Sequence, residues 1–229
     1  MCALTLKAQV TQLVDGVLAN TSAKGILLSV PKIGTLPLTR TRVSDLNRRL
    51  GRPDTASLFA LTNAGVPRRT VSTDIVLLPV VGRVGRLETA TGTAALEAFG
   101  LSKLNPLRRQ DVLSDSAAGA LDDRIDRTNS INKTLAAKAL TSGGRLVYLD
   151  INSLLLDVIG GRYIDGVTYS GDPLTGGLFS LDGYTLTPRG NALLVNRIIT
   201  ALNSPKAVEG FGTRLPQLDI NSLPPTPLP

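Results

Sequence analysis

The chain contains no histidine, no tryptophan and a single cysteine among its 229 residues. Without an imidazole there is no side chain whose ordinary pKa lies near neutrality, so His-based triads, His metal sites and histidine pH switches are excluded. The lone Cys2 rules out an internal disulfide and a cysteine metal cluster. Aromatic residues make up only 3% of the sequence, too few to supply stacking platforms for single-stranded nucleic acid. No apolar run approaches the length of a membrane span. The opening MCALTLKAQVTQLVDG has no charged leader followed by an apolar stretch, which as written points to a cytoplasmic protein.

What is present is ordinary for a globular chain: 42% hydrophobic and 19% charged residues, enough for one substantial core. The net charge of +7 comes mostly from arginine, in pairs such as Arg48-Arg49, Arg68-Arg69 and Arg108-Arg109. These read as a basic solvated surface, with attraction of anionic substrates as the sharper alternative. No predicted helix carries a continuous basic stripe, so nucleic acid is not an expected partner.

Residues 4–20 place Leu6, Val10, Leu13, Val14, Val17 and Leu18 at three- and four-residue spacing, which predicts a helix with a broad apolar stripe. GILLSVPKI, from Gly25, is a short apolar run between that helix and a Pro/Gly loop. Such a run reads as a parallel strand buried on both faces. Residues 34–114 are proline-rich and read as a cap or large insertion. Short helical pieces are expected there around 43–50, 55–63 and 93–100, with an extended segment over 72–85. Ser114 or Asp115 can cap a long helix to about Leu140 with Leu121, Ile125, Thr128, Ile131 and Leu135 inward, stopped by Gly143-Gly144. RLVYLDI, from Arg145, predicts a second parallel strand, followed by a short helix at 153–159, a hairpin, and a last helix at 188–203. The order is that of an α/β layer protein. One domain over 1–203 is expected, with an extended proline-rich tail over 204–229.

At GGLFSLDGYTLTPRGNALLVNRII, residues 176–199, the chain resembles the SGNH (GDSL-like) lipase/esterase family, whose last block reads FSLDG-x-H-P-x-x-RG. KAQVTQLVDGVLANTSAKGILLSVPKI, DRTNSINKTLAAKALTSGGRLVYLDINSLL and LPQLDINSLP resemble further parts of that family, so the likeness spans nearly the whole chain and is weakest over 34–110. The resemblance implies a truncated flavodoxin-like sandwich with an incomplete parallel sheet, and full-length relatives that are secreted or associated with the outer membrane. The family's nucleophilic serine and its oxyanion-hole blocks lie upstream of the matching region. Its triad aspartate maps onto Asp182, and its histidine position falls on Thr185. A threonine hydroxyl does not accept a proton usefully at neutral pH, so the family mechanism does not run on this polypeptide.

Two residues remain as candidates for chemistry. Asp182 reads as a loop carboxylate bonding backbone between Gly183 and Thr187, or as a retained general base. Cys2 reads as an unreactive terminal thiol, or as a nucleophile activated at the start of the first helix on the same face as Asp182. The expected activity is at most promiscuous ester or phosphoester hydrolysis by a non-triad route. The alternative is a non-catalytic module or structural remnant that binds an acyl or apolar ligand in the old pocket. No cofactor or metal is expected; Asp150, Asp157, Asp165 and Asp172 are too dispersed for a calcium loop. A homodimer is expected through the open edge of the GILLSVPKI strand or through the first helix, with residues 70–82 folding over that edge as the monomeric alternative.

Overall fold

The structure, a computed structural model, describes residues 3–90, 92, 94–141, 145–173 and 175–224. In chain order these form α1 (Ala3–Asn20), β1 (Gly25–Leu28), β2 (Thr41–Arg42), α2 (Val43–Arg49), β3 (Phe59–Leu61), β4 (Pro67–Arg69), β5 (Ile75–Val76), α3 (Leu78–Val81) and β6 (Leu87–Thr89). There follow β7 (Leu96–Ala98), β8 (Val112–Leu113), α4 (Asp115–Thr141), β9 (Leu146–Leu149), α5 (Ile151–Ile159), β10 (Arg162–Ile164), β11 (Val167–Tyr169), α6 (Pro188–Leu202) and α7 (Pro205–Phe211). The protein is mixed α/β, with one parallel strand pair and several small antiparallel sheets among the described residues. It divides into two compact units: residues 1–32, 122–180 and 185–229, and residues 33–121 with 181–184.

The first unit is built around β1 and β9, which pair in parallel from Gly25 opposite Leu146 to Leu28 opposite Leu149. Side chains alternate across this pair. Leu27, Leu146 and Tyr148 pack with Val14 and Leu18 of α1 and Ala136 of α4. Ile26 and Val147 pack with Ile198, Ala201 and Leu202 of α6 and Ala207 of α7. Helices therefore cover both faces, as a parallel pair requires. The expected double burial holds for β9, whereas β1 is only half-buried and Leu28 is 37% exposed. Each strand has one neighbour among the described residues. Arg145, at the start of β9, donates to the carbonyls of Leu18 and Thr21 at 2.6 and 2.7 Å. A cation thus satisfies orphan acceptors at the C-terminus of α1.

Ser114 caps α4, its Oγ accepting from the Ala117 N–H at 3.3 Å. The expected inner row holds in part: Leu135 is buried and Ile125, Thr128 and Ile131 are half-buried, whereas Leu121 is exposed, and Asn129 and Ala136 are buried beside them. The proposed Gly143-Gly144 stop lies outside the described residues.

The second unit has its own core of Val43, Leu46, Leu58, Ala60, Val76, Val80, Val84, Phe99 and Leu107. Two expected helices are strands. Phe59–Leu61 pairs with Pro67–Arg69, and Leu96–Ala98 pairs with Leu87–Thr89. The first hairpin turns at Asn63-Ala64-Gly65, where Gly65 adopts φ 73°, a conformation that favours glycine. Cross-strand pairing at a distance overrides local helix propensity in both. Only Ile75–Val76 of the extended 72–85 segment is strand, and it pairs with β2 and β8 rather than with β1. Pro79 then starts α3, where its missing N–H costs nothing.

The tail also departs from expectation. Residues 205–211 form α7 rather than extended chain, because Pro205 sits in the first turn and Ala207 is fully buried against Val147 and Leu202. Beyond it the chain runs along α6 and is held by side-chain amides. Asn203 exchanges two hydrogen bonds with the backbone of Leu215, and Asn196 does the same with Leu218.

Candidate functional site

The block that carries the family resemblance forms a loop leading into α6. Thr187 is the N-cap: its Oγ1 accepts from the Gly190 N–H at 2.9 Å and donates to the Gly177 carbonyl at 2.8 Å. A Cβ on Gly190 would lie 2.3 Å from the Leu178 carbonyl oxygen, so only glycine permits this approach. Arg189 Nε donates to the Leu223 carbonyl at 2.9 Å and ties down the tail. These parts of the motif thus perform packing and capping in this chain.

Asp182 is exposed, and its Oδ1 accepts from the Tyr184 N–H at 2.9 Å, an Asx turn. This is the backbone-bonding role foreseen for it. Gly183, at φ 65°, accepts at its carbonyl from the Leu38 N–H at 3.0 Å. A Cβ there would come within 2.7 Å of both Leu38 N and Leu78 Cδ2. Thr185 is exposed, and its carbonyl accepts from the Ser180 N–H at 2.8 Å. Cys2 lies outside the described residues.

Sequence reasoning overlooked a polar cluster at the carboxyl ends of β1 and β9, the position at which α/β sheets commonly bind ligands. The buried Ser29 Oγ receives the Ile151 N–H at 2.7 Å and Asn152 Nδ2 at 3.4 Å, and donates to Asp150 Oδ1 at 3.3 Å. Asp150 caps α5, accepting from Asn152 N at 3.0 Å and Ser153 Oγ at 2.9 Å. Desolvation raises its pKa, but the hydrogen bonds from Ser153, Asn152 and Ser29 outweigh that and hold it below the ordinary carboxylate value. Burial and the neighbouring Asp150 charge raise the Tyr148 phenol, against a lowering hydrogen bond with Ser29. A carboxylate stabilised in this way is a weak base, and Ser29 is already engaged by donors. The cluster joins strands to helix and has no activated nucleophile. Its visible signal was DINS at a strand end, an N-cap followed three residues later by serine.

A cleft with a volume of about 650 Å³ lies within the second unit. Leu38, Leu61, Leu77 and Leu121 contribute apolar wall, and Arg68 and Arg109 contribute charge. This size falls in the roughly 300–1,000 Å³ range of small-molecule sites. By contrast, the apolar void beside α6, between Leu178, Phe179 and Leu193, has only about 30 Å³ and does not take an acyl chain. No sequence motif marked the larger cleft, because its walls come from β3, β4, β8, the start of α4 and the connecting loops.

Among the described residues, no three acidic, cysteine or histidine side chains gather as metal ligands, and no helix is long and apolar enough to cross a membrane. No protein-family model, curated protein or solved structure matches the chain.

Proposed function

We propose that this chain is a relative of the SGNH (GDSL-like) esterases, related to the later part of their flavodoxin-like sandwich, and that it binds an acyl-like apolar molecule without hydrolysing it. The observation that carries this reading is the 650 Å³ cleft of the second unit, whose wall is mainly leucine, isoleucine and valine, with Arg68, Arg109, Gln110 and Asn63 among its polar groups. The chemistry of the chain supports the loss of hydrolysis. It has no histidine, its Asp182 is engaged in an Asx turn, and Asp150 is stabilised as the anion.

Slow ester or phosphoester hydrolysis by a non-triad route is the second reading, with Asp182 as base and Cys2 as nucleophile. It is favoured by the docking of Gly183, next to Asp182, on Leu38 of the cleft wall. Displacement of the neutral dye Nile red from the full chain by 1-decanol tests the first reading. Saturable displacement, abolished when Ala117→Trp fills the cleft, supports it; absence of saturable binding overturns it. Saturating turnover of p-nitrophenyl butyrate that is lost in Asp182→Ala or after alkylation of Cys2 supports hydrolysis instead.

The chain is also proposed to form a two-fold dimer through α1, on which Leu13 and Val17 remain 67% and 42% exposed.

A further inference from the structure

We infer that the cleft of the second unit selects a monoanionic amphiphile, an alkyl chain ending in a carboxylate, and that Arg109 is the residue that reads the charge. The inference rests on the cleft being a binding site, as proposed above. It starts from the different fates of two adjacent arginines. Arg108 is neutralised by Asp111, with Nε donating to Oδ2 at 3.1 Å and Nη2 to Oδ1 at 3.0 Å. Arg109 is exposed, lines the cleft, and has no side-chain hydrogen bond or ion pair among the described residues. A guanidinium with five donors thus stands at the cleft without an ion-pair partner among the described residues.

The second cleft arginine is held differently. Arg68 Nη1 donates to Asp74 Oδ2 at 3.0 Å and to the Arg69 carbonyl at 3.2 Å. Asp74 is itself buried and fixed by the N–H groups of Asp115 at 2.9 Å and Val71 at 3.3 Å. Arg68 is therefore anchored and its charge is balanced. Its Nε and Nη2 still have no protein acceptor among the described residues. Arg68 lies opposite Ala60 in the β3–β4 pair, and Ala60 bridges to Leu107 on its other side, two residues before Arg109. One strand thus carries an arginine-bearing segment along each of its edges. The uncompensated charge at the cleft is that of Arg109, which calls for one negative charge on the ligand. The leucine walls call for an alkyl body.

The test compares decanoate with 1-decanol by Nile red displacement from the full chain and from Arg109→Gln. Decanoate is expected to bind the wild-type chain about tenfold more tightly than the alcohol, the scale of one charge-assisted hydrogen bond. Arg109→Gln should bring the two within about twofold, chiefly by weakening decanoate. Arg109→Lys, which keeps the charge, should retain most of the preference. Equal binding of both ligands by the wild-type chain overturns the anion inference and leaves the apolar cleft standing. A preference that survives in Arg109→Gln overturns the assignment to Arg109. Failure of both ligands to bind overturns the cleft reading and this inference with it.

Discussion

Asn129 satisfies both backbone groups of Val30: its Oδ1 accepts from the Val30 N–H at 2.7 Å, and its Nδ2 donates to the Val30 carbonyl at 3.0 Å. The N–H groups of Gly25 and Ser29 face β9, so the alternate residues Ile26, Leu28 and Val30 direct their backbone groups away from it. A side-chain amide on α4 thus stands where a neighbouring strand would be. Asn132, one turn further on, reaches the Leu28 carbonyl at 3.4 Å. Asn196 and Asn203 repeat the device on the tail.

Replacing Asn129 with leucine removes two hydrogen bonds and leaves the Val30 N–H without its side-chain acceptor, while Asn152 Nδ2 still donates to the Val30 carbonyl at 3.1 Å. A loss of about 0.5–1.5 kcal/mol is expected from urea unfolding. Asn129→Asp keeps the acceptor and loses the donor, so its midpoint should fall between those of the wild-type chain and the leucine variant. An unchanged midpoint in the leucine variant would show that water replaces the amide at no cost.

The clamp at Val30 also weighs against strand-edge pairing as the route to a dimer and favours the stripe on α1. Sedimentation equilibrium should give about twice the 24.1 kDa chain mass at micromolar concentration. The double variant Leu13→Glu, Val17→Glu should fall to the chain mass while keeping its helical circular dichroism. A wild-type chain that sediments as a folded monomer removes the dimer.

Thr185→His introduces the residue type that the proposed esterase kinship would place there, without supplying an activated serine. Its kcat/KM on p-nitrophenyl butyrate should stay within about tenfold of wild type, since an imidazole without a nucleophile gives little. A serine-directed fluorophosphonate should label neither protein. Stoichiometric labelling of one serine in either would contradict this.

Asp150 links stability to acid pH. Its folded pKa is depressed, so its contribution is fully present above the ordinary carboxylate value of about 3.9 and is lost as pH falls through the folded value. Asp150→Asn should therefore flatten the fall in stability below about pH 4, relative to wild type. Parallel acid limbs for the two proteins would place that dependence elsewhere.

The helices α1, α4 and α6 and the parallel pair of β1 and β9 could be read because their signals are local. Leu, Ile and Val recur at helical spacing in the first case, and in short runs bounded by glycine in the second. The chemistry that the chain lacks was equally plain, since an absent histidine is absent in every conformation. Asp182 was found from its motif, and its Asx turn is a contact two residues long. Phe59–Leu61 and Leu96–Ala98 were misread because a strand is stabilised by a partner, and the partner's distance along the chain is not encoded in the segment itself.

What the amino-acid order alone determined, then, is the set of amphipathic helices, the parallel strand pair and the lack of any imidazole, all of which depend on residue type and near-neighbour spacing. Tertiary structure decided that Asn129 faces Val30 across 99 residues, that Pro205 starts a helix because Ala207 has a core to enter, and that Arg108 meets Asp111 while Arg109 is left facing a cleft. The physical reason is that hydrogen bonds and charges act over a few ångströms in space. Which groups share those few ångströms is set only once the chain has closed its loops.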